Sequence, residues 1–168
     1  NRVGHMRQMR VLDKYGVRLI GASRDPKSIG YRLLEALRAN EFQGAIYPVN
    51  PNASEIAGVP VYHSVHAIPE PIDLAVIAVP RQDVLSVVDE CAGKDVRVLV
   101  VITAGFAEVG ADGVALQEQL LEKIRQHGMR MVGPNCFGIL NTAPDVQLNA
   151  TFTTLFPPRG RAAMSSQS

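Results

Sequence analysis

Between Gly21 and Gly30 lie two hydroxyl side chains, Ser23 and Ser28, and two cations, Arg24 and Lys27, with a glycine at each end. Ser28 can cap a helix starting near Ile29, so backbone N–H groups of the loop and the positive end of that helix would face one anion together. Ser23, Ser28 and Lys27 would add donors, although Arg24 and Lys27 read equally well as solvated loop charges. The loop is not GxGxxG, because it is longer and only its ends are glycine. A dinucleotide site also wants a carboxylate at the end of the second strand to hold ribose hydroxyls. Asn50 stands there, followed by Pro51, which argues against NAD and admits a ribose phosphorylated at its 3′ position.

Three more segments end in small, polar or turn-forming residues: Val79-Pro80, Ile102-Thr103-Ala104-Gly105, and Gly133-Pro134-Asn135-Cys136. Small residues let a ligand approach the backbone and polar tips orient it; the blander account is that every α/β domain needs glycine in its turns. No catalytic constellation accompanies them. His63 and His66 are close in sequence but lack a carboxylate or cysteine at metal-ligand spacing, which predicts a surface loop. His127 falls at an expected helix C-terminus, where it suits the helix dipole. Cys136 has no base beside it and reads as a packed thiol rather than a nucleophile. Asn149-Ala-Thr151 matches a glycosylation sequon, which has no role in a cytosolic protein.

The elements that would position these loops alternate as strand and helix. Val17 to Gly21, Ala45 to Val49, Asp73 to Val79, Val96 to Ile102 and Met129 to Val132 are short apolar runs. Helices are expected from Ile29 to Asn40, Asp83 to Ala92 and Val114 to His127, the last stopped by Gly128. Continuously apolar strands between amphipathic helices imply a parallel sheet covered on both faces, an α/β, Rossmann-like, doubly wound sheet of about five strands in a single domain. Asn52 to Pro69 is expected to hold one short element. Thr142 to Arg161, with Pro144, Pro157 and Pro158, reads as an extended exit segment without helical period.

The chain has 168 residues, 46% hydrophobic and 20% charged, with a net charge of +1. That is one soluble domain's worth of core, with no basic field for nucleic acid. Tryptophan is absent and aromatics make up 5%, so a stacking platform for single strands is lacking too. Two cysteines without CxxC spacing suit a reducing compartment. No apolar run approaches the roughly 20 residues a membrane helix needs, and Asn1 to Gly16 has no signal-peptide core. A cytoplasmic location, with no membrane or nucleic-acid partner, is therefore expected. Gly4-His5-Met6 reads as a tag remnant, so residues 1–11 are set aside as that remnant and an N-terminal extension. Residues 12–141 are expected to form the binding domain, and 142–168 the exit segment and the start of a further domain.

Taken in order, Val17 to Ser23, Ile46 to Pro51, Asp73 to Pro80, Ile102 to Phe106 and Gly133 to Gly138 resemble the CoA-binding domain of NDP-forming acyl-CoA synthetases, such as ADP-forming acetyl-CoA synthetase. The alpha subunit of succinyl-CoA synthetase is a more distant relative, and some protein lysine acetyltransferases carry the domain fused to a GNAT domain. The resemblance implies that coenzyme A or acyl-CoA lies along these loops. Ser23 to Ile29 would take the phosphates, with Gly21 opening the loop. Val49 to Pro51 and Val79-Pro80 would flank the adenosine. Ile102, Thr103 and Ala104 would meet the pantetheine arm, and Asn135 and Cys136 the thiol end. Met164 to Ser168 resembles the turn that opens the family's second domain.

Two departures stand out. Many relatives have a lysine after the Asn-Pro turn, where this chain has Asn52 and Ala53; CoA would then be held more weakly, or Arg24 or Lys27 would substitute. The family's phosphorylated histidine and its ATP-grasp part lie beyond this domain, so ATP or ADP would bind only in further ligase domains or a partner subunit. An oligomer is compatible with this. Three readings follow: a module that positions CoA for acyl transfer through a phosphohistidine elsewhere, a CoA- or acetyl-CoA-sensing module of a GNAT-fused acetyltransferase, and, more weakly, an NAD(P)-binding domain.

Overall fold

The computed structural model describes residues 16–40, 42–71 and 74–160. The expected tag remnant and the start of a further domain lie outside those residues. Five short strands form one parallel sheet: β1 (Val17–Ile20), β2 (Ile46–Val49), β5 (Leu74–Ile77), β6 (Val98–Val101) and β7 (Arg130–Val132). Their order is β2-β1-β5-β6-β7. The chain starts in the middle, adds one strand outward and then reverses, so the topological switch point falls between β1 and β5. The registers are regular, with Val17 opposite both Ile46 and Leu74, and Leu74 opposite Val98.

Side-chain alternation gives the central strands β1, β5 and β6 two buried faces. Val17, Leu19, Leu74, Val76 and Val100 meet Leu33, Leu34 and Leu37 of α1 (Ile29–Ala39). Ile20, Ala75, Ile77, Leu99 and Val101 meet α2 (Val84–Ala92) and α3 (Ala111–Gln126) through Val84, Val88, Leu120 and Ile124. Each fully buried Leu, Ile or Val contributes about 1.5–3 kcal/mol. Arg18 is the exception inside β1: it is fully buried, donates from Nη2 to Glu70 O at 3.1 Å, and its Nε and Nη1 have no partner among the described residues. Burial lowers its pKa. Burial also pushes the neighbouring Cys91 thiol up to about 12.

Two stretches depart from expectation. The segment before β5 holds more than one element: a hairpin of β3 (Glu55–Ile56) and β4 (Val59–Pro60), then a 3-10 turn at Val65–Ala67. Its turn residues Ala57 and Gly58 have φ of 50° and 77°, a conformation that Asn-Gly would have announced in sequence and Ala-Gly does not. Ala57→Asn is therefore expected to stabilise the chain by about 0.5–1 kcal/mol, because Asn adopts the left-handed region at lower cost than Ala. A thermal melt should show a rise of about 1–4 °C.

The second departure follows Asn141. Thr142 to Arg161 is not wholly an extended exit: β8 (Gly138–Asn141) pairs antiparallel with β9 (Leu148–Thr151). Leu148 and Ala150 join the α1 core, and Asn149 and Thr151 are buried as well. Their polar groups are satisfied locally, Asn149 Nδ2 donating to Thr153 O at 2.9 Å and Thr151 Oγ1 to Asn149 Oδ1 at 2.6 Å. The sequon asparagine is thus a core residue. The expected strand opening at Ala162 lies outside the described residues.

Candidate functional site

The carboxyl ends of the five parallel strands bring the sequence-predicted loops to one edge. Gly21 leaves β1 with φ of 93° and donates its N–H to Val49 O at 3.1 Å, at the end of β2. On its other side a Cβ would lie 2.5 Å from Ala78 O and 3.0 Å from Val79 N, at the end of β5. Only glycine allows strand ends to close in this way around a switch point. Thr103 Oγ1 donates to Val79 O at 2.7 Å, and Asn135 N donates to Thr103 O at 3.0 Å. Hydrogen bonds therefore run along the edge from β2 to the loop beyond β7.

The β1–α1 loop is preformed by its own side chains. Asp25 N donates to Ser23 Oγ at 3.1 Å, and Lys27 N to Asp25 Oδ1 at 2.9 Å. Ser28 caps α1: its Oγ accepts from Tyr31 N at 3.1 Å and donates to Asp25 O at 2.7 Å. That hydroxyl is engaged within the loop, which narrows the donor role expected for it. The N–H groups of Ile29 and Gly30, at the first two helical positions of α1, lie outside the helix's own ladder, the position at which a helix N-terminus suits an anion. Arg24 reaches Asn52 O from Nη2 at 3.4 Å, and Lys27 is exposed.

Asn50 is a strut. Its Nδ2 donates to Ala22 O at 2.7 Å, tying β2's end to β1's, and its Oδ1 accepts from Asn52 N at 2.7 Å, closing its own turn. It places no negative charge at the end of β2. His63 lies against this turn, with Nδ1 3.3 Å from Pro51 O. On the far side, the Gly133–Pro134 peptide bond is cis and Asn135 has φ of 53°. Cys136 is half-buried and its Sγ donates to Val101 O at 3.4 Å. Burial raises the thiol's pKa, the opposite of nucleophile activation.

Two residues of this edge escaped the sequence reading. Arg81 donates from Nη1 to Gly105 O at 2.9 Å, crossing from the loop after β5 to the loop after β6. Glu108 accepts from Gly105 N at 2.5 Å and from Phe106 N at 3.2 Å. The position of Arg81 directly after Val79-Pro80 was the available signal. A separate hollow of about 280 Å³, lined by Asp95, Arg97 and His127 among others, sits at the amino ends of β6 and β7, the end of a parallel sheet that ligands avoid. No group of metal-ligating side chains occurs among the described residues, and no helix there is long and apolar enough to cross a membrane.

Comparison with known proteins matches residues 16–142 to a family model described as CoA binding domain. Acetate–CoA ligase [ADP-forming] I of Archaeoglobus fulgidus is 45% identical over 152 residues, covering 90% of this chain and 22% of that protein. The alpha subunit of acetate–CoA ligase [ADP-forming] II of Pyrococcus furiosus is 46% identical over 154 residues, covering 91% of this chain and 33% of that subunit. Among solved structures, the dinucleotide forming acetyl-coenzyme A synthetase 1 of Ca. Korarchaeum cryptofilum, in complex with phosphate and ADP, superposes with a TM-score of 0.75 at 43% identity, covering 82% of this chain and 29% of that one. The chain thus spans between a fifth and a third of the length of these relatives. All three are CoA ligases or synthetases, which gives the acetyltransferase-fused and NAD(P) readings no support. A Rossmann-like sheet whose ligand edge carries these loops, matched over most of its length, places this chain in the CoA-binding domain family of the ADP-forming acyl-CoA synthetases.

Proposed function

We propose that the chain holds CoA along the carboxyl edge of its sheet for an ADP-forming acyl-CoA ligase. The nucleotide site and phosphohistidine belong to further domains or a partner subunit. The observation that carries this reading is the single edge on which five strand ends, the α1 N-terminus and an uncharged Asn50 converge. In it the amides of Ile29 and Gly30 take the pyrophosphate, with Ser23, Arg24 and Lys27 beside it. The turn at Val49, Asn50 and Pro51, with Val79 and Pro80, flanks the adenosine. Ile102, Thr103 and Ala104 follow the pantetheine arm, and Asn135 and Cys136 stand at the thiol. ATP or ADP then acts in the other domains, in the cytoplasm.

The chemistry this chain supplies is orientation. Fixing the nucleotide end removes the translational and rotational freedom of the thiol before it meets an activated acyl group. Calorimetric titration of the purified chain is expected to show saturable binding of CoA and acetyl-CoA and none of NAD. Binding of NAD without CoA would overturn the proposal.

A further inference from the structure

The turn after β6 is held from both sides. Arg81 Nη1 binds Gly105 O at 2.9 Å, and Glu108 binds the N–H groups of Gly105 and Phe106. The peptide joining Gly105 to Phe106 therefore has its C=O fixed by a cation from the β5 loop and its N–H fixed by a carboxylate from its own turn. The preceding peptide has its N–H fixed by the same carboxylate. Gly105 has φ of 101°, and a Cβ there would lie 2.7 Å from Arg81 Cδ, so the arginine stem lies directly over the glycine. Ala104, just before this clamp, is exposed, and its N–H and C=O have no partner among the described residues.

We propose that Arg81 and Glu108 are positioning residues that set the backbone of Ala104 to pair with an extended, amide-bearing ligand arm. A trans peptide points its C=O opposite to its N–H. Holding Gly105 N–H on Glu108 thus directs Ala104 O away from the turn, where it can accept from a secondary amide. The inference rests on the CoA reading, since the pantetheine arm carries such amides and the nucleotide end does not. The Gly105 amide holds the Glu108 carboxyl below the usual carboxylate range, so the clamp stays charged at neutral pH.

The test separates the two halves of the ligand. CoA and adenosine 3′,5′-bisphosphate, which lacks the arm, are titrated into the chain and into Arg81→Met, Arg81→Lys and Glu108→Ala. Methionine keeps an apolar stem over Gly105 and removes the donor. Arg81→Met and Glu108→Ala are expected to weaken CoA about five- to tenfold, the range for losing one neutral hydrogen bond, that of the ligand amide to Ala104 O. The armless nucleotide should change by less than about twofold, and Arg81→Lys should recover most of the CoA affinity. Equal losses for both ligands, or none for CoA, would overturn the inference. Failure of the unaltered chain to bind CoA would instead remove the CoA reading, and this inference with it, before any variant is compared.

Discussion

Ile29→Glu is expected to lower CoA affinity by about two orders of magnitude while leaving the fold as stable as before. Ile29 opens α1 and is 44% exposed, so its side chain contributes little core. The first turn of α1 carries no acidic residue, and a carboxylate there complements the dipole by about 0.3–1 kcal/mol. For a pyrophosphate on the Ile29 and Gly30 amides, the same carboxylate is a like charge a few ångströms away. At an effective dielectric near 20, such a pair costs on the order of 3 kcal/mol. Melting curves and calorimetry read the two effects separately. Unchanged CoA affinity would mean that the phosphates bind elsewhere. The loss should shrink as salt rises, because near 0.15 M the screening length is about 8 Å.

That separation of charge from stability explains which parts of the site were legible in sequence. The sheet was readable because strands buried on both faces must be apolar along their length, as Leu74 to Ile77 and Val98 to Val101 are. Strand ends followed from the glycines and prolines that stop those runs. Reach was invisible. Ser28 looks like a ligand donor in sequence and Asn50 like an uncharged stand-in for a carboxylate, yet their side chains close the turns that shape the edge. Arg81 looks like a helix-start charge, yet it spans to Gly105. The β8–β9 hairpin was missed because Asn149 and Thr151 interrupt an apolar pattern, and hydrogen bonds to each other and to Thr153 O let them be buried. Ala57 hid a tight turn because nothing in its type asks for positive φ.

Gly30→Ala should do the reverse of what helix propensity dictates. Replacing glycine by alanine inside a helix ordinarily gains about 1 kcal/mol. Here a Cβ would be driven into Gly21 O and would lie 3.2 Å from Ala22 Cα. These are backbone atoms, pinned by the Gly21 N to Val49 O hydrogen bond and by Ala78 on the other side, so they cannot swing away as a side chain would. The start of α1 must lift from β1, loosening Leu33, Leu34 and Leu37, all fully buried beneath it. Overpacking of this kind costs about 1–3 kcal/mol or more, and the lost contacts add to it. A net loss of about 2–3 kcal/mol should lower the melting temperature by about 5–10 °C. Gly93→Ala is the control: Gly93 has φ of −63°, and its nearest neighbour would be His66 Cε1 at 3.3 Å, a side-chain atom that can yield. If the two variants melt together, the close approach of α1 to β1 is not what fixes the loop. If Gly30→Ala alone falls, CoA affinity should fall with it, because the displaced amides are those of Ile29 and residue 30 itself. Ile29→Glu, by contrast, leaves the amides in place and changes only the charge they face.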